Sequence, residues 1–64
     1  MLKTIKIFGD EYKIRKTYDI DDLTGIGIYG YAISDGNGKF LRQCEGMDNI
    51  NDLRNYIKMI FYKI

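Results

Sequence analysis

Asp35-Gly36-Asn37-Gly38 lies between two runs that read as strands, Tyr29 to Ser34 and Lys39 to Cys44, and it constrains the fold more than any other stretch. Asp-Gly and Asn-Gly tolerate the positive φ that tight hairpin turns demand, so the spacing predicts an antiparallel pair. The loop length is open at this point, and with it the register of the hairpin. A chain of 64 residues has room for one domain, residues 1–64. A domain of that size buries only about 60% of the surface its unfolded chain exposes.

A second hairpin is predicted upstream. Leu2 to Phe8 and Glu11 to Thr17 flank Gly9-Asp10, and a two-residue turn with Gly first fits type II′. That loop would set Ile7 against Tyr12 and Ile5 against Ile14, all on one face, and would leave Lys3 beside Lys16. The opposite face then carries Thr4, Lys6, Lys13 and Arg15. Between the hairpins, Tyr18 to Gly25 reads as an acidic link or a one-turn helix.

In the strand after the link, Ile26, Ile28, Gly30 and Ala32 alternate with Tyr29, Tyr31 and Ile33. Small residues at Gly30 and Ala32 favour that face for close approach of a helix, leaving Tyr29 and Tyr31 on the open side; the reverse assignment stays open. The fourth strand offers Leu41 on one side and Phe40 and Cys44 on the other. After Gly46, Asp48 or Asn49 is a good N-cap, and Ile50, Leu53, Ile57, Ile60 and Ile64 recur at helical spacing. Tyr56 and Phe61 widen this stripe, and Tyr62 falls on the polar side. The predicted fold is α+β: two consecutive antiparallel hairpins forming one small sheet (β-β-β-β-α) packed on a single C-terminal helix.

Charge is polarised along the chain. Residues 1–17 carry Lys3, Lys6, Lys13, Arg15 and Lys16 against Asp10 and Glu11, whereas residues 18–36 carry Asp19, Asp21, Asp22 and Asp35 with no basic residue. Residues 37–64 are again net basic, and the whole chain is +1. Such polarity can orient a partner. It does not have the strong overall basicity of most nucleic-acid binders.

Several apparent motifs dissolve on inspection. Counted from Asp19, an EF-hand loop would need Gly at its sixth position and Glu at its twelfth; Thr24 and Gly30 stand there, so no metal site is expected. Gly25-Ile26-Gly27-Ile28-Tyr29-Gly30 matches the letters G-x-G-x-x-G but lies inside a strand, so no cofactor is expected. With no histidine, the single cysteine has no imidazole partner. The expectation is a protein that is not an enzyme.

The N-terminal residues alternate apolar and charged, unlike a signal peptide, and no apolar run approaches the roughly 18 residues of a membrane span. A lone cysteine argues against disulfide stapling, so a soluble, cytoplasmic protein is expected. Abundant Ile, Lys, Asn and Tyr without Pro, His or Trp suit a low-GC coding sequence.

Two functions fit these residues. The first is a protein-binding module, for example a phage or mobile-element inhibitor or adaptor acting on a host protein, with Tyr29, Tyr31, Phe61 and Tyr62 as contacts. A second copy of the chain is an open alternative as its partner. The other function is nucleic-acid binding, with Lys6, Lys13, Arg15 and Arg42 on phosphates and a tyrosine stacked on a base. A small antiparallel sheet backed by one C-terminal helix resembles, in layout, the arm-type DNA-binding domains of some phage and transposon integrases. The resemblance spans at most residues 26 to 62 and carries no signature motif.

Overall fold

The computed structural model describes residues 2–64. Four strands, β1 (Leu2–Ile7), β2 (Asp10–Ile20), β3 (Gly27–Asp35) and β4 (Phe40–Glu45), form one antiparallel meander in the order β1-β2-β3-β4. Helix α1 (Ile50–Ile57) follows and continues into a π-helical turn, Lys58–Tyr62. The predicted α+β fold is the one observed. Among the described residues, no helix is long and apolar enough to cross a membrane.

The first turn is Phe8-Gly9, not Gly9-Asp10. Both residues have positive φ, 52° and 85°, as a type I′ hairpin requires. Ile7 therefore pairs with Asp10 and Ile5 with Tyr12. Relative to expectation the pairing moves by a whole pleat, so Ile5, Ile7, Tyr12 and Ile14 still share one face. The gain is electrostatic. Lys6 now faces Glu11, and Lys3 faces Ile14 instead of Lys16. The Phe8 ring, held in an unusual backbone conformation, packs edge-on against Tyr62 with centroids 5.2 Å apart.

The second turn is a three-residue loop. The Gly38 N–H donates to the Asp35 carbonyl at 3.0 Å, and the Asp35 carboxylate accepts from the Asn37 and Lys39 N–H groups at 2.9 Å each. Only Gly38 in this loop has positive φ, 88°. A bulge follows: Ile33 pairs with Arg42 but Ser34 with Phe40, leaving Leu41 as the extra residue. That extra residue turns Phe40 away from the Cys44 side, contrary to the simple alternation.

The helix covers the face carrying Tyr31 and Ile33, opposite to the favoured assignment. Ile5, Ile7, Tyr12, Ile14, Tyr31, Ile33, Cys44, Leu53 and Ile57 make the buried core. Burying Tyr31 and Ile33 removes far more apolar surface than burying Gly30 and Ala32 would. Gly30 is small for a different reason. A Cβ there would collide with the Cys44 carbonyl oxygen of β4, so the sheet itself needs the glycine.

Asn49 is the N-cap, its Oδ1 accepting from the Asn51 N–H at 2.8 Å. At the other end the π turn replaces α-helical spacing, and the wider turn rotates Tyr62 inward. Its hydroxyl donates to the Asp10 carboxylate, lies 3.2 Å from the Ile7 carbonyl oxygen and shares a 2.8 Å hydrogen bond with the Tyr12 hydroxyl. Ile64, predicted to close the apolar stripe, lies beyond the helix and is exposed. Arg54 adds a 3.0 Å bond from Nη1 to the Lys6 carbonyl oxygen, tying the helix to β1.

Candidate protein-binding surface

β2 is 11 residues long, but among the described residues β1 pairs with it only as far as Arg15, and β4 pairs with β3 only from Gly30. Lys16 and Thr17 still pair with Tyr31 and Gly30, which β4 flanks, so residues 18–29 leave the body of the sheet as a two-stranded arm. The predicted link is part of this arm: Tyr18, Asp19 and Ile20 are strand residues paired with Tyr29, Ile28 and Gly27. The alternation that places Tyr12 and Ile14 under the helix continues through Tyr18 and Ile20. With no helix above them, these side chains face solvent.

The loop at the tip, residues 21–26, is closely hydrogen-bonded. Asp21 Oδ1 accepts from the Leu23 N–H at 2.9 Å, the Asp21 N–H donates to the Ile26 carbonyl at 2.9 Å, and the Gly25 N–H donates to the Asp21 carbonyl at 2.7 Å. Asp21 thus holds the loop in shape. Leu23 is left 95% exposed at its end, with Ile26 and Ile20 about 60% exposed behind it. On the helix side the Tyr18 and Tyr29 rings lie 4.7 Å apart, and the Lys16 ammonium sits 5.0 Å from the Tyr29 centroid. Gly27 makes the first contact possible, because a Cβ there would fall on the Tyr18 ring.

Two grooves open at the base of the arm. One, of about 520 Å³, is lined by Leu2, Lys3, Ile14, Lys16, Tyr31 and Ile50. The other, of about 310 Å³, lies beside Tyr29, Met47 and Asp48. The chain after β4 is pinned there, the Gly46 and Met47 N–H groups both donating to the Tyr29 carbonyl, at 2.8 and 3.0 Å.

The residues singled out from the sequence disperse. Tyr29 is 47% exposed on the arm, whereas Tyr31, two residues on, is 6% exposed beneath the helix and offers no contact surface. This corrects the expected placement of both on the open face. Phe61 stacks on Tyr12, centroids 5.9 Å apart. Tyr62 is engaged with Asp10 and Tyr12; desolvation first, then these hydrogen bonds, hold its phenol well above the ordinary range.

Of the basic set, Lys6, Lys13 and Arg15 share the face that the helix leaves open, alongside Glu11, Asp19 and Glu45 by the same registers. Arg42 lies on the other side, its Nε donating to the Tyr56 hydroxyl at 2.8 Å. The basic residues therefore form no single stripe. Down the centre of the open face run Gly30, Ala32 and Ser34, low enough for the Gln43 amide to reach across to Thr17 Oγ1 at 3.0 Å.

Sequence reasoning missed Tyr18, Ile20, Leu23 and Ile26. The signal was the alternation Tyr12, Ile14, Lys16, Tyr18, Ile20, which runs unbroken into the supposed link. Comparison with protein-family models, with curated proteins and with solved structures finds no match.

Proposed function

We propose that this chain is a non-enzymatic protein-binding module whose contact surface is the arm, centred on Tyr18, Ile20, Leu23, Ile26 and Tyr29. One observation carries the reading: these apolar side chains cluster on a projecting hairpin whose tip is held in one shape by Asp21. Solvent-exposed clusters of this kind mark interaction sites, and tyrosines supply large, rigid contact area. A two-stranded ribbon is marginal in water without further burial, so the arm gains most from a partner. An inhibitor or adaptor acting on another protein is the role such a surface fits.

The test is retention of a protein by the immobilised chain, with Leu23→Asp and Tyr18→Ala as comparisons. The reading requires that both substitutions abolish retention. Recovery of nucleic acid alone, weakening steeply with salt, would sink it in favour of the face bearing Lys13 and Arg15.

A further inference from the structure

We infer that the arm docks on a second copy of this chain, each arm inserting Leu23 into the partner's groove between Lys3, Lys16 and Ile50. The inference rests on the arm being a protein-binding surface, and it names the occupant. Two observations point to self-association. The tip loop carries Asp21 and Asp22 and no basic residue, while the groove presents apolar Leu2 and Ile50 rimmed by Lys3 and Lys16. The tip and the groove of one molecule are thus complementary in both charge and polarity.

The second observation is positional. The groove lies at the arm's base and Leu23 at its tip, on opposite sides of Tyr18 and Ile20. A twofold axis through the middle of the arm lays two arms antiparallel and brings each tip to the other's base. The same operation apposes the exposed helix-side faces of Tyr18, Ile20 and Tyr29. From Lys16 to Ile20 the strand spans roughly 13 Å, at about 3.3 Å per residue, and the loop adds the remaining reach. The Lys16 ammonium rests on neutral groups in the free chain, the Asp48 carbonyl oxygen at 3.4 Å and the Tyr29 ring. Asp22 of a docked tip supplies a carboxylate.

Sedimentation equilibrium of the full chain across a micromolar-to-millimolar range tests this. The expected result is a reversible dimer of the 7.5 kDa chain. Leu23→Asp should weaken it by about tenfold or more, since a buried leucine is replaced by a charge on both sides of the axis. Leu23 touches nothing the free fold needs, so circular dichroism should show both proteins equally folded. Lys16→Glu and Asp22→Lys should each be monomeric alone, through like-charge contacts, and an equimolar mixture should recover the dimer. A wild-type monomer at all concentrations, a dimer insensitive to Leu23→Asp, or a mixture that stays monomeric overturns the proposal. A monomer that still loses another bound protein on Leu23→Asp overturns self-docking and leaves the binding-module reading standing. Insensitivity of both mass and binding overturns the two together.

Discussion

β2 and β3 run through two environments without changing their pattern. Between Tyr12 and Tyr31 their inward side chains are sealed by Leu53 and Ile57, whereas between Tyr18 and Tyr29 the same face has no cover. Sheet pairing alone therefore does not decide what is core. The helix decides it, by ending where Asn49 caps it. Apolar residues within its reach stabilise the domain, and those beyond it become a surface.

Substitutions that act alike on paper should separate the two regions. The largest contrast is expected for Ile33→Ala against Ile20→Ala. Ile33 is fully buried, and its truncation should cost about 2–5 kcal/mol. That is a large share of the roughly 3–10 kcal/mol available to a domain of this length. Ile20→Ala should cost within about 0.5 kcal/mol. Urea denaturation measures both, and equal losses would erase the distinction.

Next come two glycines of β3. Gly30→Ala meets a backbone carbonyl that cannot step aside, with an expected loss of about 1–3 kcal/mol. Gly27→Ala meets only the end of the Tyr18 ring, which can swing away, so the loss should stay below about 1 kcal/mol. Its readout is the near-ultraviolet signal of the Tyr18–Tyr29 pair.

A smaller effect is expected for Tyr62→Phe. The folded state holds the Tyr62 proton more tightly than its ordinary value of 10.0, so the associated stability is intact below about pH 10 and is lost as pH rises from there towards the folded value. Stability of the two proteins should therefore converge in alkali. A constant difference from pH 8 to 11 would contradict this. The smallest stability change, within about 0.5 kcal/mol, is expected for Leu23→Asp. Its effect should appear in association alone, by sedimentation.

Much of the fold was legible because turn chemistry and periodicity are local. Gly9, Asp35 to Gly38 and Asn49 mark their elements directly. The errors came where a choice depended on distant partners. Phe8 accepts a left-handed conformation in the first turn while Tyr62, 54 positions away, packs against its ring, and no window around residue 8 contains that information. Tyr31 is buried because Leu53 and Ile57 lie over its face, which alternation cannot reveal. The arm was hidden for a different reason: Asp19, Asp21 and Asp22 read as a polar link, although Asp19 occupies the outward positions of a strand and Asp21 closes its loop.

The hydroxyl bridge from Tyr62 to Tyr12 also bears on how the chain folds in time. The bridge spans 50 positions, so it closes nearly the longest loop the chain can make. The β1–β2 hairpin is local and can form early, but the contact that locks its turn waits for the π turn to be in place. Tyr62→Phe should accordingly raise the unfolding rate far more than it lowers the folding rate.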